Sequence, residues 1–288
     1  MRKTERYDPT ESGSLLFLYS SIYGRMVLKL LTRPFISKIV GKYMDSRFSV
    51  GKITSFLKKN DIDMKEYEDK QYSSFNDFFT RKIRPEYRPF DMSDAAFVSP
   101  CDALVSVYPI TPDSTYVIKE TPYSVESLLR DKELAEKFVG GSALVFRLCV
   151  HHYHRYYYFD SGRQEPSVKI PGVLHTVQPI ALERYDYFKE NSRSYNLLHT
   201  SHFGDSVMCE VGALMVGRIT NADDGEFLFE KGREKGYFEF GGSTVVVLIE
   251  KDRVTFDDEL VRNTQNGLET EVKCGEKIGE AIRNVDFA

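Results

Sequence analysis

A serine that directly follows two glycines interrupts a strand-like run in the C-terminal part of the chain. Residues 237–247 are rich in aromatic and β-branched types, which favour a pleated sheet. Gly241 and Gly242 weaken such a strand and indicate a bulge, a bend or a close backbone approach. The Ser243 hydroxyl could reach the Gly242 carbonyl, because neither glycine carries a Cβ that would block a strained peptide bond. The pattern fits either a β-bulge with an ordinary serine or serine chemistry on the chain's own backbone.

Serine chemistry on the backbone would require three groups. A nucleophilic hydroxyl attacks the preceding carbonyl, a base accepts its proton, and a carboxylate orients the base. The resulting N-to-O acyl shift converts the peptide bond to an ester. Loss of the serine Cα proton then expels the ester by β-elimination. The dehydroalanine that remains hydrolyses to ammonia and a pyruvoyl group at a new N-terminus.

Five segments in this order along the chain carry a resemblance to a known family. They are residues 74–81 (Ser-Phe-Asn-Asp-Phe-Phe-Thr-Arg) followed by Arg88-Pro89, residues 98–102 (Val-Ser-Pro-Cys-Asp), residues 146–148 with 153–155 (Phe-Arg-Leu and Tyr-His-Arg), residues 210–213 with 216–217, and residues 241–244 (Gly-Gly-Ser-Thr). Together they make the chain, from about residue 74 to about residue 249, resemble the phosphatidylserine decarboxylases. That family consists of self-processing enzymes that carry a pyruvoyl group.

The resemblance implies a role for each of the three required groups. Cleavage falls between Gly242 and Ser243, and Ser243 is both the nucleophile and the source of the pyruvoyl group. His154 is the base, against the alternative of a structural histidine in an aromatic strand. Asp102 is the carboxylate that orients it, against the alternative of a turn-stabilising aspartate.

One position departs from the family pattern. Family members commonly have a second histidine three residues after the first, where this chain has Tyr157. A tyrosine is a poor base near neutral pH because its unperturbed pKa is about 10. We therefore expect His154 to act as the base, with His151 or His152 as substitutes if the strand register differs.

The resemblance also implies the second reaction, decarboxylation of phosphatidylserine to phosphatidylethanolamine. The pyruvoyl group would be the sole cofactor and would act as an electron sink. The sequence shows no metal-ligand cluster, and we expect no metal. Arg155 and Arg193, together with Arg81, are candidate partners for the phosphodiester or the carboxylate of the substrate. Surface or structural ion pairs are the alternative for each arginine.

The composition is that of a globular protein with a slightly acidic balance of charge. The chain has 288 residues, of which 41% are apolar and 28% charged, and its net charge is −4. This balance argues against nucleic acid as a partner. The four cysteines show no CxxC spacing, so reduced thiols are expected, which favours the cytosolic side of a membrane.

The N-terminal region, residues 1–89, has a helical pattern. Apolar residues recur at three- and four-residue steps over residues 14–44, with basic residues among them and Pro34 breaking or kinking the run. This pattern is typical of a basic amphipathic helix on an anionic membrane, although a helix docked on the core is an open alternative. A further short helix is predicted over 50–59, and a loop with helical turns over 61–72. No stretch is long enough to span a membrane, so we expect a peripheral protein on the cytoplasmic face of the cell membrane.

From residue 90 onward, short valine-rich runs separated by Gly, Pro and Asp predict strands. They cover 98–110, 140–150, 168–177, 206–219, 237–249 and 253–256, and a helical pattern over 124–138 is the one interruption. We therefore predict an α+β fold with a mainly antiparallel β core over 90–288 and a helical N-terminal region. Self-cleavage would divide the chain into 1–242 and 243–288, which stay associated. A homodimer is left open.

Two rival functions remain at this stage. An ordinary serine hydrolase would use the same three residues on an external ester, but the nucleophile of such enzymes usually lies on a sharp strand-to-helix elbow. Residues 245–249 instead continue as a predicted strand. An inactive, membrane-associated binding module would also keep its chain intact.

Overall fold

The computed structural model describes residues 1–6, 17–18, 21, 23–24, 26–27, 34–113, 115–118, 121–172, 191–212, 218–240 and 243–282. The α-helices of these ranges are α1 (Pro34–Met44), α2 (Ile53–Asn60), α3 (Phe75–Phe79), α4 (Val125–Leu129), α5 (Lys132–Glu136) and α6 (Asp258–Gln265). Short 3-10 helices cover Arg47–Lys52, Met64–Glu66 and Pro85–Tyr87. The strands are β1 (Thr4–Arg6), β2 (Ala96–Val98), β3 (Ala103–Pro109), β4 (Thr115–Ile118), β5 (Thr121–Ser124), β6 (Ser142–Leu148), β7 (Arg155–Tyr157), β8 (Gly162–Gln164), β9 (Val168–Ile170), β10 (Arg193–Thr200), β11 (Gly204–Val211), β12 (Ile219–Asn221), β13 (Phe227–Phe229), β14 (Glu234–Phe238), β15 (Ser243–Ile249), β16 (Val254–Phe256), β17 (Leu268–Val272) and β18 (Lys277–Ala281).

A ten-stranded antiparallel sheet forms the centre of the molecule. Its strand order is β1-β17-β3-β6-β15-β11-β10-β8-β13, and β9 pairs with β10. The strand β15 lies between β6 and β11, where Ser243 pairs with Leu148 and Thr244 pairs with Val211. Smaller sheets, β12-β14-β7 and β16-β18-β2, and the pair β4-β5 complete the β structure. The predicted α+β architecture with a mainly antiparallel core is confirmed.

The central strand β15 is buried along its whole length. Successive side chains of a strand point to opposite faces, so Val246 and Leu248 enter one core cluster while Val245 and Val247 enter the other. The first cluster includes residues of α4 and α5, and the second includes residues of β2, β14 and α6. Burial of each such side chain stabilises the fold by about 1.5–3 kcal/mol. The strand that begins at Ser243 is therefore among the most firmly held in the core.

The N-terminal region packs through aromatic side chains against the segment that precedes the glycine pair. Ser74 caps α3, since its hydroxyl accepts a hydrogen bond from the Asp77 amide at 3.1 Å. The rings of Phe75 and Phe79 on this helix lie 5.0 and 5.3 Å from the ring of Phe240. The signature segment at 74–81 thus contacts the chain immediately before Gly241 and Gly242, which themselves lie outside the described residues.

Most predicted elements agree with the structure where it describes them, although residues 173–177 and 213–217 of two predicted strands lie outside the described residues. Two predictions need correction. The helical pattern over 124–138 is divided into α4 and α5 because Arg130 adopts a left-handed conformation with φ of 53°. The expectation that this was the only helix of the core was wrong, because α6 follows β16. Its sequence is strongly polar with few apolar positions, but it is anchored by the fully buried Leu260, the buried Asn263 and Val261, which packs against the core.

The predicted helix over 14–44 is only partly covered by the described residues. Residues 17–18, 23–24, 26–27 and the whole of α1 are helical, residue 21 is a bend, and the remainder lies outside the described residues. The predicted helix over 50–59 and the turns over 61–72 are present as α2 and the Met64–Glu66 turn. Across the part of the chain that the structure describes, no helix has the length and apolar character needed to cross a membrane.

Candidate active site

Ser243 and His154 form a buried pair at the start of β15. The Ser243 Oγ lies 3.3 Å from Nδ1 of His154, and neither residue has any measurable exposure to solvent. Ser243 pairs with Leu148 of β6, and the next residue, Thr244, also pairs with Val211 of β11, so the strand is held on both sides from Thr244 onward. The histidine lies just before β7, whose pairing with β14 sets its position. The structure therefore brings together two of the three residues that the sequence predicted.

The hydrogen bonds of His154 determine which ring nitrogen is free to accept a proton. Its Nε2 lies 3.0 Å from the Cys149 carbonyl oxygen, which can only accept a hydrogen bond. Nε2 therefore carries the proton, and Nδ1 is the acceptor that faces the Ser243 hydroxyl. A ring in this tautomer can take the serine proton without any rearrangement.

The surroundings of His154 keep the imidazole neutral. Burial is the main cause that lowers its pKa to about 3, and the positive charge of Arg81 adds to the effect, while the Cys149 carbonyl opposes it. The Phe79 ring lies 4.3 Å from the imidazole, centroid to centroid. The pair is thus enclosed by apolar groups, and the histidine is uncharged at neutral pH.

Asp102 is directed away from this pair. Its carboxylate accepts hydrogen bonds from Arg88 Nε at 2.8 Å and NH2 at 2.7 Å, and from the Cys274 amide at 2.8 Å. Both ring nitrogens of His154 are already engaged, by Ser243 and by Cys149. The predicted orienting contact between Asp102 and His154 is therefore not made, and the Cys149 carbonyl occupies that place.

The neighbouring candidates for a base have other partners. Nδ1 of His152 accepts a hydrogen bond from the Cys149 amide at 2.9 Å. The Tyr157 hydroxyl lies 3.0 Å from that of Tyr153, and burial raises the pKa of Tyr157. His151 is half-buried, and its pKa is lowered by burial. Only His154 among these side chains has a hydrogen bond to Ser243 within the described structure.

The guanidinium groups of Arg155 and Arg193 bind inside the protein. Arg155 donates to the Thr80 carbonyl at 2.6 and 3.0 Å and to Glu234 at 2.6 Å. Arg193 donates to three backbone carbonyls, at residues 127, 128 and 191, over 2.6–2.9 Å. Both side chains are more than nine-tenths buried. These contacts give each arginine a structural role, and substrate binding by either stays a prediction.

Two features of the site had no clear signal in the sequence. The Cys149 backbone orients both His152 and His154, and a backbone role leaves no side-chain signature. Arg88 belongs to a segment that the sequence singled out, but its pairing with Asp102 depends on the tertiary fold. A spacing of 14 residues between the two gives no helical or strand register that would predict contact.

Two cavities are lined by residues of segments that pair with or adjoin the segments of Ser243 and His154. One of about 490 Å³ is lined by residues at the start of β10, the end of β11 and β12, including Arg193, Ser194 and Arg218. Thr244 pairs with Val211, which in turn pairs with Arg193, so this cavity is at the same end of the sheet as Ser243. A second cavity of about 290 Å³ lies beside α3 and is lined by Arg81 and Arg155 among others.

Comparison with known proteins gives a consistent result. The family model described as phosphatidylserine decarboxylase matches residues 75–280. A relative from Clostridium acetobutylicum named phosphatidylserine decarboxylase proenzyme 2 is 44% identical over 272 residues, covering 94% of this chain and 92% of the relative. Phosphatidylserine decarboxylase proenzymes from Clostridium novyi and Chlamydia caviae are 41% and 40% identical, over 98% and 94% of this chain and 98% and 92% of their own lengths.

Proposed function

The chain belongs to the phosphatidylserine decarboxylase family, and from this premise we propose that it cleaves itself between Gly242 and Ser243 and then decarboxylates phosphatidylserine to phosphatidylethanolamine. The observation that carries the proposal is the buried pair of Ser243 Oγ and His154 Nδ1, 3.3 Å apart, with the histidine in the accepting tautomer. The nucleophile lies at the start of a strand rather than on a strand-to-helix elbow, which disfavours an ordinary hydrolase.

In the first step of this proposal, the Ser243 hydroxyl gives its proton to His154 as Oγ attacks the Gly242 carbonyl carbon. A C–O bond forms, the C–N bond between the two residues breaks, and the Ser243 nitrogen takes the proton. The peptide bond has then become an ester. The Ser243 Cα proton next leaves to a base, the Cβ–Oγ bond breaks, and Gly242 departs as a carboxylate. Water hydrolyses the dehydroalanine, ammonia is released, and a pyruvoyl group remains at residue 243.

The site fits such a group. Residue 243 is fully buried between β6 and β11, so a new chain end would stay in the sheet through the hydrogen bonds of residues 244–249. The aromatic and apolar neighbours exclude water, with the Phe79 ring next to His154. When present, the pyruvoyl group would supply an electron sink for the electron pair left behind as carbon dioxide departs. His154 is placed to hold or return a proton at this position.

Contacts between the two sides of the proposed cleavage position support the continued association of both products. The sheet places β15 in the middle of strands from the larger piece. Arg147 binds Glu269 at 2.5 Å, and Asp102 accepts a hydrogen bond from the Cys274 amide. Arg2 pairs with Asp257 at 2.9 Å and with Glu276 at 2.6 Å. We therefore propose that chains 1–242 and 243–288 remain one folded unit.

The N-terminal region, residues 1–89, is proposed to bind the membrane that holds the substrate, with 90–288 as the catalytic core. Large apolar side chains are exposed there, among them Tyr23 at 77%, Met26 at 69% and Phe48 at 82%. Basic residues occur in the same N-terminal region, at Lys42, Arg47 and Lys52, and the Lys52 ammonium lies over the ring of the exposed Tyr43. Exposed apolar groups beside cations suit an anionic membrane surface. We propose a peripheral position on the cytoplasmic face of the cell membrane.

The test of self-cleavage is a denaturing intact mass of the purified protein beside its Ser243→Ala variant. The wild type should give two pieces, 1–242 and 243–288, with the smaller one blocked at its N-terminus and lacking the serine nitrogen. The variant should remain whole. A wild type that stays intact under several folding and lipid conditions would contradict the proposal and favour the hydrolase or the binding module.

The substrate is tested separately, with the cleaved protein and vesicles that contain phosphatidylserine. Phosphatidylethanolamine and carbon dioxide should form in equal amounts, and the Ser243→Ala variant should form neither. A cleaved protein that leaves phosphatidylserine unchanged would retain the processing chemistry but require another amino acid derivative as its substrate.

A further inference from the structure

Arg81 differs from the other buried arginines of the chain. Arg88 and Arg155 each bind a carboxylate, and Arg193 binds three backbone carbonyls. Arg81 is only 2% exposed, yet it has no ion pair with any residue that the structure describes. Among the described residues, its buried charge therefore has no compensating anion.

The polar contacts of Arg81 are long and incomplete. NH1 lies 3.4 Å from the Phe78 carbonyl oxygen, NH2 lies 3.3 Å from the Tyr67 hydroxyl, and Nε has no partner among the described residues. The guanidinium also lies over the rings of Tyr67 and Phe78, at 4.3 and 4.7 Å. Aromatic faces attract a cation but do not satisfy its N–H donors. A buried charge in this condition is costly unless an anion reaches it.

The cavity beside Arg81 can admit such an anion. It has a volume of about 290 Å³, and its lining has four cations (Lys70, Arg81, Lys82 and Arg155) against two carboxylates (Glu68 and Asp77). Lys70 is paired with Asp77, and Arg155 is paired outside the cavity. This leaves two cations of the lining, Arg81 and the exposed Lys82, and one carboxylate, Glu68. The cavity lining therefore has an excess of positive charge.

The cavity is lined by Thr80, Arg81 and Arg155, which are neighbours in sequence of Phe79 and His154. Phe79 lies on the same segment as Arg81, and its ring packs against the His154 imidazole. The Thr80 carbonyl, between them in sequence, accepts hydrogen bonds from Arg155, the residue after His154. The charge of Arg81 also contributes to the lowered pKa of His154, which places the two groups within electrostatic reach.

We propose that Arg81 binds the phosphodiester group of the phospholipid substrate in this cavity. The inference rests on the proposed function and adds the group that recognises the substrate. Arginine presents a planar fork of N–H donors that suits phosphate oxygens, and the Nε and NH groups of Arg81 have no strong partner. The alternative anion, the substrate carboxylate, leaves as carbon dioxide. An ion pair to it would stabilise the ground state more than the transition state and would slow the reaction.

The first test measures binding to the Ser243→Ala chain, which cannot process itself. The probe is glycerophosphoglycerol, a soluble phosphodiester without amine or carboxylate, in isothermal titration calorimetry. Arg81→Gln should raise the Kd of the diester about tenfold or more. Arg81→Lys should give a Kd between those of Arg81 and Arg81→Gln, because lysine keeps the charge but lacks the planar set of N–H donors. Arg163→Gln removes an exposed arginine that is paired with Glu226 and should leave the Kd unchanged. Equal binding with and without Arg81 would overturn the proposal, as would tighter binding of inorganic phosphate than of the diester.

The second test separates recognition from chemistry in the cleaved enzyme. With phosphatidylserine, Arg81→Gln should raise KM about tenfold with kcat changed less than about threefold. With O-dodecanoylserine, which has no phosphate, the same variant should match the wild type. An equal loss on both substrates would show a structural role and overturn the assignment. If Arg81→Gln does not fold, competitive inhibition of the wild type by glycerophosphoglycerol decides the point, and no inhibition counts against it.

The two proposals can fail independently. If the protein never cleaves itself but its Ser243→Ala variant binds the diester through Arg81, the anion site stands and the decarboxylase function fails. If cleavage and decarboxylation occur without any dependence on Arg81, the function stands and the site is wrong.

Discussion

The Ser243–His154 pair and the Arg88–Asp102 pair lie in the same molecule but are stabilised in opposite ways. His154 is aligned by a backbone carbonyl, packed against the Phe79 ring and uncharged. Asp102 forms an ion pair with Arg88 and also accepts a hydrogen bond from the backbone amide of Cys274. A buried imidazole can therefore be oriented without a carboxylate. The Asp102 carboxylate instead connects Arg88 to the backbone of Cys274 in the C-terminal segment.

The difference has a consequence for the chemistry. A carboxylate beside His154 would favour the imidazolium form and raise the pKa of the ring, whereas burial alone lowers it to about 3. A base with such a low pKa removes a serine proton slowly. Slow proton removal is tolerable in a reaction that each chain undergoes only once, in contrast to a reaction with many turnovers.

The largest effect is expected from His154→Gln. If His154 is the base, self-cleavage should slow by about 10²–10⁴-fold, the usual contribution of a positioned proton acceptor. The amount of intact chain is followed by mass spectrometry after folding is started. His151→Gln, a neighbouring half-buried histidine, is the matched control and should cleave normally. Cleavage of His154→Gln at the wild-type rate would remove His154 from the mechanism.

Asp102→Asn should act on stability instead. Removing the charge leaves Arg88 with Glu66, 3.0 Å away and partly exposed, as its remaining ion pair among the described residues. We expect the free energy of unfolding to fall by about 3 kcal/mol, because a buried charge loses its main partner. Urea unfolding is compared in the Ser243→Ala background, where neither chain cleaves. Glu226→Gln, which breaks an exposed pair with Arg163, should cost less than about 1 kcal/mol.

The same Asp102→Asn change, made in the chain that retains Ser243, tests whether Asp102 contributes to the rate of self-cleavage. The folded protein should cleave at a rate within about tenfold of the wild type, well short of the loss expected for a missing base. A loss as large as that of His154→Gln, with unchanged stability, would mean that Asp102 does orient the histidine as the sequence predicted.

The pH dependence gives a smaller effect. Because burial lowers the His154 pKa to about 3, the accepting form persists and the cleavage rate should stay nearly level from about pH 5 to pH 8. The folded pKa lies below the unfolded value of about 6.5, so this group's contribution to stability is fully present above about pH 6.5 and is lost as the pH falls toward 3. Single-turnover cleavage is measured across this range, with the folded fraction checked at each pH. A midpoint near pH 6.5 would show that the histidine is solvated.

The sequence was sufficient for several core strands, but it did not predict β10, β17 or β18, whose polar and charged residues hide the strand pattern. The valine run after Ser243 predicts a buried strand because its residue types leave no polar face, and the structure has β15 there. The role of Asp102 could not be predicted in the same way. An aspartate in a turn could pair with His154 or with Arg88. Only the tertiary fold brings Arg88 and the Cys274 amide to Asp102. The Cys149 carbonyl is a backbone group, and its use is invisible in the sequence.

The smallest effect is expected from Tyr157→His, which restores the second histidine of the family pattern. The Tyr157 hydroxyl contacts Tyr153 and, at 3.5 Å, Glu234, and none of its hydrogen bonds among the described residues reaches Ser243. Since Ser243 already has an accepting nitrogen at 3.3 Å, cleavage should change less than about threefold, or about 0.7 kcal/mol of barrier.

The double variant Tyr157→His with His154→Gln decides whether the second position can act as a base in this chain. Without a hydrogen bond to Ser243, the new histidine should not restore cleavage, and the double variant should be as slow as His154→Gln alone. Recovery of more than about tenfold would show that position 157 reaches the serine in the reacting state. In that case the Ser243–His154 pair seen here would be the resting arrangement.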